Sequence, residues 1–250
     1  MLQIRKEQIE VFDEVAVKSF EDQILKHLRE YFPKHCEPLA EEEIRRIIRY
    51  GAERARGHGF TYIRSINLYL NLMFLLGSHF DTDLQLPWAA ELIADRSIAH
   101  ETPRIDRLYE RASAYLDAVA GKKNEHINAA LERARKEQLS TAPPPIDSPD
   151  FYRFVIARLQ ALYPHKCEAV GELNLRLLIR QGIETAGDYA ITDARGVIIY
   201  IGLMFLLGTG FDTDPLFSWA GAILNKDAPG EQKAQQLYEA SMTLLNHWLA

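Results

Sequence analysis

Apolar positions recur at helical spacing through most of this chain. Over residues 104–120, Ile105, Leu108, Tyr109, Ala112, Tyr115, Leu116 and Val119 fall at three- and four-residue steps, which predicts an amphipathic helix. Leu237, Tyr238, Ser241, Leu244, Leu245 and Trp248 repeat that pattern near the C-terminal end. Stripes of Ile44, Ile47 and Ile48, and of Leu175, Leu178 and Ile179, predict helices over 40–56 and 171–186. The stretch after Thr61, running to Gly77, carries Ile63, Ile66, Leu70, Met73 and Phe74 on one face and leucines on the others. A helix apolar nearly all round is a buried one, and a second such stretch runs from Thr192 to Gly208. No segment sustains apolar–polar alternation between turn signals, so the expected class is all-α with little or no sheet.

Punctuation residues set the expected limits. Pro33 and Pro164 are read as stops for first helices over Lys6–Tyr31 and 149–162, because proline lacks an N–H and disfavours helix in the residue before it. Ser148 is placed at an N-cap with Pro149 at the first helical position. Thr61 and Thr192 are placed as N-caps, with Asp193 adding a favourable first-turn charge. Gly77 and Gly208 suit the left-handed residue that ends a helix. A short fourth helix is expected from Asp83 and from Asp214, carrying Trp88 or Trp219 inward.

The same elements occur twice. A shift of 131 positions superposes residues 20–93 on 151–224 without a gap, with roughly a third identical. Shared residues include Pro33/Pro164, Cys36/Cys167, Glu41/Glu172, Arg45/Arg176, Arg49/Arg180, Gly51/Gly182, Glu53/Glu184, Arg64/Arg195 and Tyr69/Tyr200. The period exceeds that of solenoid repeats, so a domain duplication is expected. Helical domains of about five helices each would occupy 1–121 and 149–250. Between them lie a charged helix over 122–139 and a linker with Pro143, Pro144 and Pro145, which favour an extended backbone.

Composition narrows the classes. A net charge of −6 argues against nucleic-acid binding, which favours a basic face, and fits a basic partner. The longest apolar run, 197–207, is too short to cross a bilayer at about 20 residues per span, so no membrane role is expected. The N-terminal residues carry no apolar signal core. The two cysteines, Cys36 and Cys167, have no zinc-site spacing and read as small buried hydrophobes of a cytoplasmic protein.

The most distinctive string is Phe80-Asp81-Thr82-Asp83, repeated as Phe211-Asp212-Thr213-Asp214. Paired carboxylates can hold a hard cation or anchor a basic partner. The further oxygen ligands of a calcium loop do not follow in register, so an aromatic plug followed by a helix cap is the favoured reading. Arg49/Arg180 or Arg64/Arg195 is expected to bridge onto these aspartates. His79 has Gly210 as its counterpart, and Asn67 and Asn71 have Ile198 and Gly202, so a role common to both copies cannot rest on them. The Glu41-Arg45-Arg49-Glu53 ladder lies on one helical face at four-residue steps. His35 and His165 read as turn residues exposed to water. No catalytic, cofactor or metal-ligand set is expected. The candidate partner-binding residues are His79, Asn67, Asn71, Asp81, Asp83, Asp212 and Asp214.

Residues 72–77 with Phe80, Asp81, Asp83, Trp88 and Ala89, and again 203–208 with Phe211, Asp212, Asp214, Trp219 and Ala220, resemble a group of small bacterial proteins found beside type VI secretion spike and toxin genes. The resemblance implies a cytosolic accessory of an antibacterial toxin system, either an immunity protein or a chaperone or adaptor for an effector. The expected function is thus non-enzymatic binding of a protein, such as a basic toxin or effector domain. The alternative is a metal-dependent enzyme or small-ligand-binding protein using the paired aspartates.

Overall fold

A computed structural model describes the backbone of residues 6–136 and 142–250, with side chains from residue 17 onward. The described residues form thirteen α-helices and one 3-10 turn, with no strand. The first half contains α1 (Lys6–Tyr31), α2 (Pro33–Cys36), α3 (Glu41–Gly57), α4 (Ile63–Leu76), α5 (Pro87–Ala94) and α6 (Glu101–Ala120). After α7 (Glu125–Lys136) the order recurs as α8 (Asp150–Leu162), α9 (Pro164–Val170), α10 (Glu172–Asp188), α11 (Ala194–Leu207), the 3-10 turn Pro215–Phe217, α12 (Ser218–Leu224) and α13 (Gly230–Leu249). The end of the expected junction helix, with Ser140 and Thr141, lies outside the described residues.

The α4 and α11 helices are central because they offer apolar side chains on most faces. Tyr69, Leu70 and Met73 in the first, and Tyr200, Ile201 and Met204 in the second, have no exposed surface. The α3 and α10 helices lie close against them at a shared glycine. A Cβ on Gly51 would stand 2.4 Å from Leu70 Cδ2, and one on Gly182 would stand 2.5 Å from Ile201 Cγ1. Nothing larger fits, which explains why both halves keep glycine there.

The outer face of α3 carries its charge ladder to α1. Arg45 reaches Asp22 at 2.7 Å and Glu41 at 2.9 Å, and Arg49 reaches Glu21 at 3.3 Å. These pairs border water, which screens them, so they contribute little to stability. Among the described residues the second ladder keeps only the local Arg176–Glu172 pair, at 2.8 Å, because Tyr152 and Arg153 of α8 stand where α1 has Glu21 and Asp22.

Four local expectations need correction. Pro33 and Pro164 also open helices: each is the first residue of a short helix, a position where its missing N–H costs nothing. The Cys36 and Cys167 thiols therefore sit within α2 and α9, both buried. Thr61 and Thr192 are not caps. Tyr62 occupies the cap of α4, and Glu101 of α6 accepts the Tyr62 N–H at 2.7 Å and the Ser65 hydroxyl at 3.1 Å. Asp193 caps α11 through the Gly196 N–H at 2.8 Å. Pro149 is the cap of α8 and not its first turn, and α5 begins at Pro87 and not at Asp83.

The halves share one core. Buried residues from Ile24 to Leu237 form a continuous apolar cluster. The α6 helix packs on α9, and α7 packs on α6, α8 and α13. The end of α13 folds back onto α2, where Lys34 Nζ donates to the Trp248 carbonyl at 2.7 Å and His247 Nε2 lies 2.8 Å from the Lys34 carbonyl.

Candidate functional site

The repeated Phe-Asp-Thr-Asp turns lie where the halves meet. Each follows a glycine with positive φ, +96° at Gly77 and +110° at Gly208, so each central helix ends there. The two ends face one another: a Cβ on Gly77 would be 2.9 Å from the Leu207 carbonyl oxygen. Phe80 and Phe211 then plug the core beside Tyr69 and Tyr200, with ring centroids 4.9 and 5.0 Å apart.

The second aspartate of each turn has two tasks. Asp83 Oδ1 accepts the Gln85 N–H at 2.8 Å, and Asp214 Oδ1 accepts the Leu216 N–H at 2.8 Å, so each closes its own turn. Their other oxygens cross to the opposite half. Asp83 Oδ2 accepts the Thr209 N–H at 3.0 Å, and Asp214 Oδ2 accepts the Ser78 N–H at 2.7 Å. Gln85 adds a third link, donating Nε2 to the Met204 carbonyl at 2.9 Å. Burial raises both carboxyls above the usual aspartate range, and the backbone N–H groups oppose that rise.

The first aspartates stay within their own halves, and their partners differ. Asp81 accepts from Arg54, from His58 Nε2 at 2.6 Å and from the Tyr69 hydroxyl at 2.8 Å. Burial would raise its carboxyl, but the His58 and Arg54 hydrogen bonds and the Arg54 charge outweigh burial and hold it at about 2. The expected cations Arg49 and Arg64 are not the bridge: Arg64 pairs with Asp106 at 2.7 Å, and Arg54 holds Asp81 instead. Asp212 accepts the Tyr189 hydroxyl at 2.9 Å, and Thr185 stands at the position of Arg54.

All four aspartates are therefore buried and bonded inside the chain. The residues that distinguish the halves are placed as follows. His79 packs against Gly210, where a Cβ would be 2.9 Å from the ring, and its Nε2 lies 3.5 Å from Thr213 Oγ1. The loops meet each other, so a ring on one side leaves no room for a side chain on the other. Asn71 Oδ1 lies 2.9 Å from His27 Nε2, while the buried Asn67 Oδ1 has no partner among the described residues. Among those residues no group of three or more His, Cys, Asp or Glu is placed to hold a metal ion, and no helix is long and apolar enough to cross a membrane.

A cavity of about 360 Å³ opens where the halves join. Phe74, Leu76, Leu116 and Val119 of the first half line it together with Leu207 and Phe217 of the second. His35 and Lys166, equivalent positions in the two halves, both border it. His35 is thus not a solvated turn residue. It packs on Phe74 and Trp248, with centroids 6.1 and 5.6 Å apart, and burial with the nearby His247 lowers it to about 4, leaving it neutral near pH 7. His165 is exposed and stacks on His126 at 3.6 Å.

Lys166 is enclosed by protein yet keeps some accessible surface because it borders the cavity. Burial lowers its ammonium to about 8, and the Asp83 charge opposes that shift. Its Nζ lies 5.2 Å from the centre of the Phe205 ring and makes no hydrogen bond to any described residue. Sequence reasoning missed this group. Its one signal was the reversed order of the pair, Lys34-His35 against His165-Lys166, which puts a cation where the first half has an imidazole.

No family model matches the chain, and neither a curated protein nor a solved structure matches it.

Proposed function

We propose that this protein is a binding protein whose compartment is the cavity between its two halves. The paired aspartates then act as scaffold: Asp83 and Asp214 bracket the halves across their junction, and Asp81 and Asp212 fix the turns that present them. The observation that carries this reading is the apolar cavity of about 360 Å³, lined from both halves and bordered by an ammonium with no hydrogen-bond partner among the described residues. That volume falls at the lower end of the range for small-molecule sites. The test is titration with an amphipathic anionic fluorescent probe, 1-anilinonaphthalene-8-sulfonate. One probe is expected to bind per folded chain, and a Leu116→Trp variant, which fills the cavity, is expected to lose binding while its melting temperature is kept. Equal binding by that variant would reject the reading.

A second reading follows from the resemblance to proteins encoded beside type VI secretion genes. In it the chain is a cytoplasmic accessory that binds a basic toxin or effector domain, as immunity protein, chaperone or adaptor. It is supported by the net charge of −6 and by Tyr62 and Ile63, adjacent residues that are 63% and 66% exposed at the start of α4. Capture from the native cell is expected to recover a toxin or secretion component, and a Tyr62→Asp/Ile63→Asp double variant is expected to lose it. Recovery of core metabolic enzymes alone would refute this second reading.

A further inference from the structure

We propose that the cavity between the halves takes a small amphipathic anion, a carboxylate on a hydrocarbon tail, with Lys166 as the counter-charge of its head group. This rests on the compartment reading and adds the chemical class of the ligand. An ammonium removed from bulk water is costly unless a charge or hydrogen bonds compensate it. At Lys166 the protein supplies only part of that compensation. The Phe205 ring lies 5.2 Å from Nζ. Asp83, the carboxylate that attracts Lys166, directs its oxygens at the Gln85 and Thr209 N–H groups and makes no hydrogen bond to the ammonium.

The other basic groups on the wall do not duplicate this one. Lys34 is engaged by the Trp248 carbonyl, and His35 is neutral near pH 7. Among the described residues Lys166 is therefore the wall cation that makes no hydrogen bond at all, and its ammonium carries three donors. Most of the remaining wall is aliphatic or aromatic, which suits a hydrocarbon tail, with Gln85, Asn124 and Asn128 as polar points on it. Leu75 both lines the cavity and is 41% exposed, and so marks a way in from solvent. A carboxylate head at Lys166 would form a charge-assisted hydrogen bond where the protein now has none, and the tail would displace space facing apolar walls.

The experiment compares decanoate with decanol by isothermal titration calorimetry on the full chain. Each is titrated into the native protein, the Lys166→Met variant and the cavity-filled Leu116→Trp variant, with melting curves checking that all fold. Decanoate is expected to bind more tightly than decanol to the native protein. Lys166→Met is expected to weaken decanoate at least about tenfold, as loss of a charged hydrogen bond requires, and to change decanol by less than about threefold. Decanol binding as tightly as decanoate, or decanoate indifferent to Lys166→Met, would overturn the assignment of an anion while leaving the compartment standing. Binding of neither amphiphile, or equal binding to Leu116→Trp, would overturn both.

Discussion

Asp81→Asn tests how the first half is held together. The substitution keeps the shape of the side chain and removes the charge shared by Arg54 and His58. The Asp81 carboxyl is depressed from 3.8 to about 2, a difference that corresponds to about 2 kcal/mol of native-state stability at neutral pH. Its side chain has no exposed surface, but Arg54 and His58 are 25% and 31% exposed. Water can therefore relax around the cation left behind, which keeps the loss near the bottom of the roughly 3–5 kcal/mol range for breaking a buried pair. A loss of about 2–3 kcal/mol is expected, read from urea unfolding followed by helical circular dichroism.

The sign with pH follows from the depressed value. The contribution is complete above the unfolded-state value near 4 and is lost as pH falls toward about 2. The native protein is therefore expected to lose stability through that window more steeply than Asp81→Asn. The second half supplies the control. Asp212 accepts a bond from the neutral Tyr189 hydroxyl, so Asp212→Asn is expected to cost about 1 kcal/mol. Equal losses for the two variants, or parallel acid profiles for native protein and Asp81→Asn, would refute the ion-pair account.

Three further outcomes are expected. Gly210→Ala places a Cβ 2.9 Å from the His79 ring and should lower stability by about 1–3 kcal/mol in thermal melts; His79→Ala in the same chain should recover most of that loss. Asp83→Ala with Asp214→Ala leaves the Thr209 and Ser78 N–H groups without acceptors. It should cost at least about 2 kcal/mol by urea unfolding, whereas an effect under about 0.5 kcal/mol would mean that the bracket does not join the halves. Burial raises the Cys36 thiol to about 11 and the Cys167 thiol to about 12, so native protein should react with a thiol-specific disulfide reagent far more slowly than protein in urea.

The helices were legible where one rule governed them. The stripes of α3 and α6, the all-round apolar character of α4 and α11, and the glycines that stop those two helices all follow from spacing alone. Pro33 and Pro164 misled because proline marks both the end of one helix and the first turn of the next. Comparing the repeats favoured residues common to both, and so passed over Arg54, whose counterpart is Thr185, and Lys166, whose counterpart is His35. The paired aspartates drew attention as a possible ligand-binding site, yet Asp83 and Asp214 bond backbone groups of the opposite half, which leave no signature in local sequence. The cavity was equally invisible, because its lining residues come from seven helices, and its leucines and phenylalanines each read by themselves as ordinary core.

The compartment is tested most directly by mapping amide chemical-shift changes on the isotope-labelled full chain as decanoate is added. Changes are expected to converge on Leu76, Gly77, Leu116 and Val119 from the first half and on Lys166, Leu207 and Phe217 from the second, and to saturate at one ligand per chain. Changes scattered over exposed positions such as Tyr62 and Leu173, or confined to one half, would contradict a binding compartment built by both.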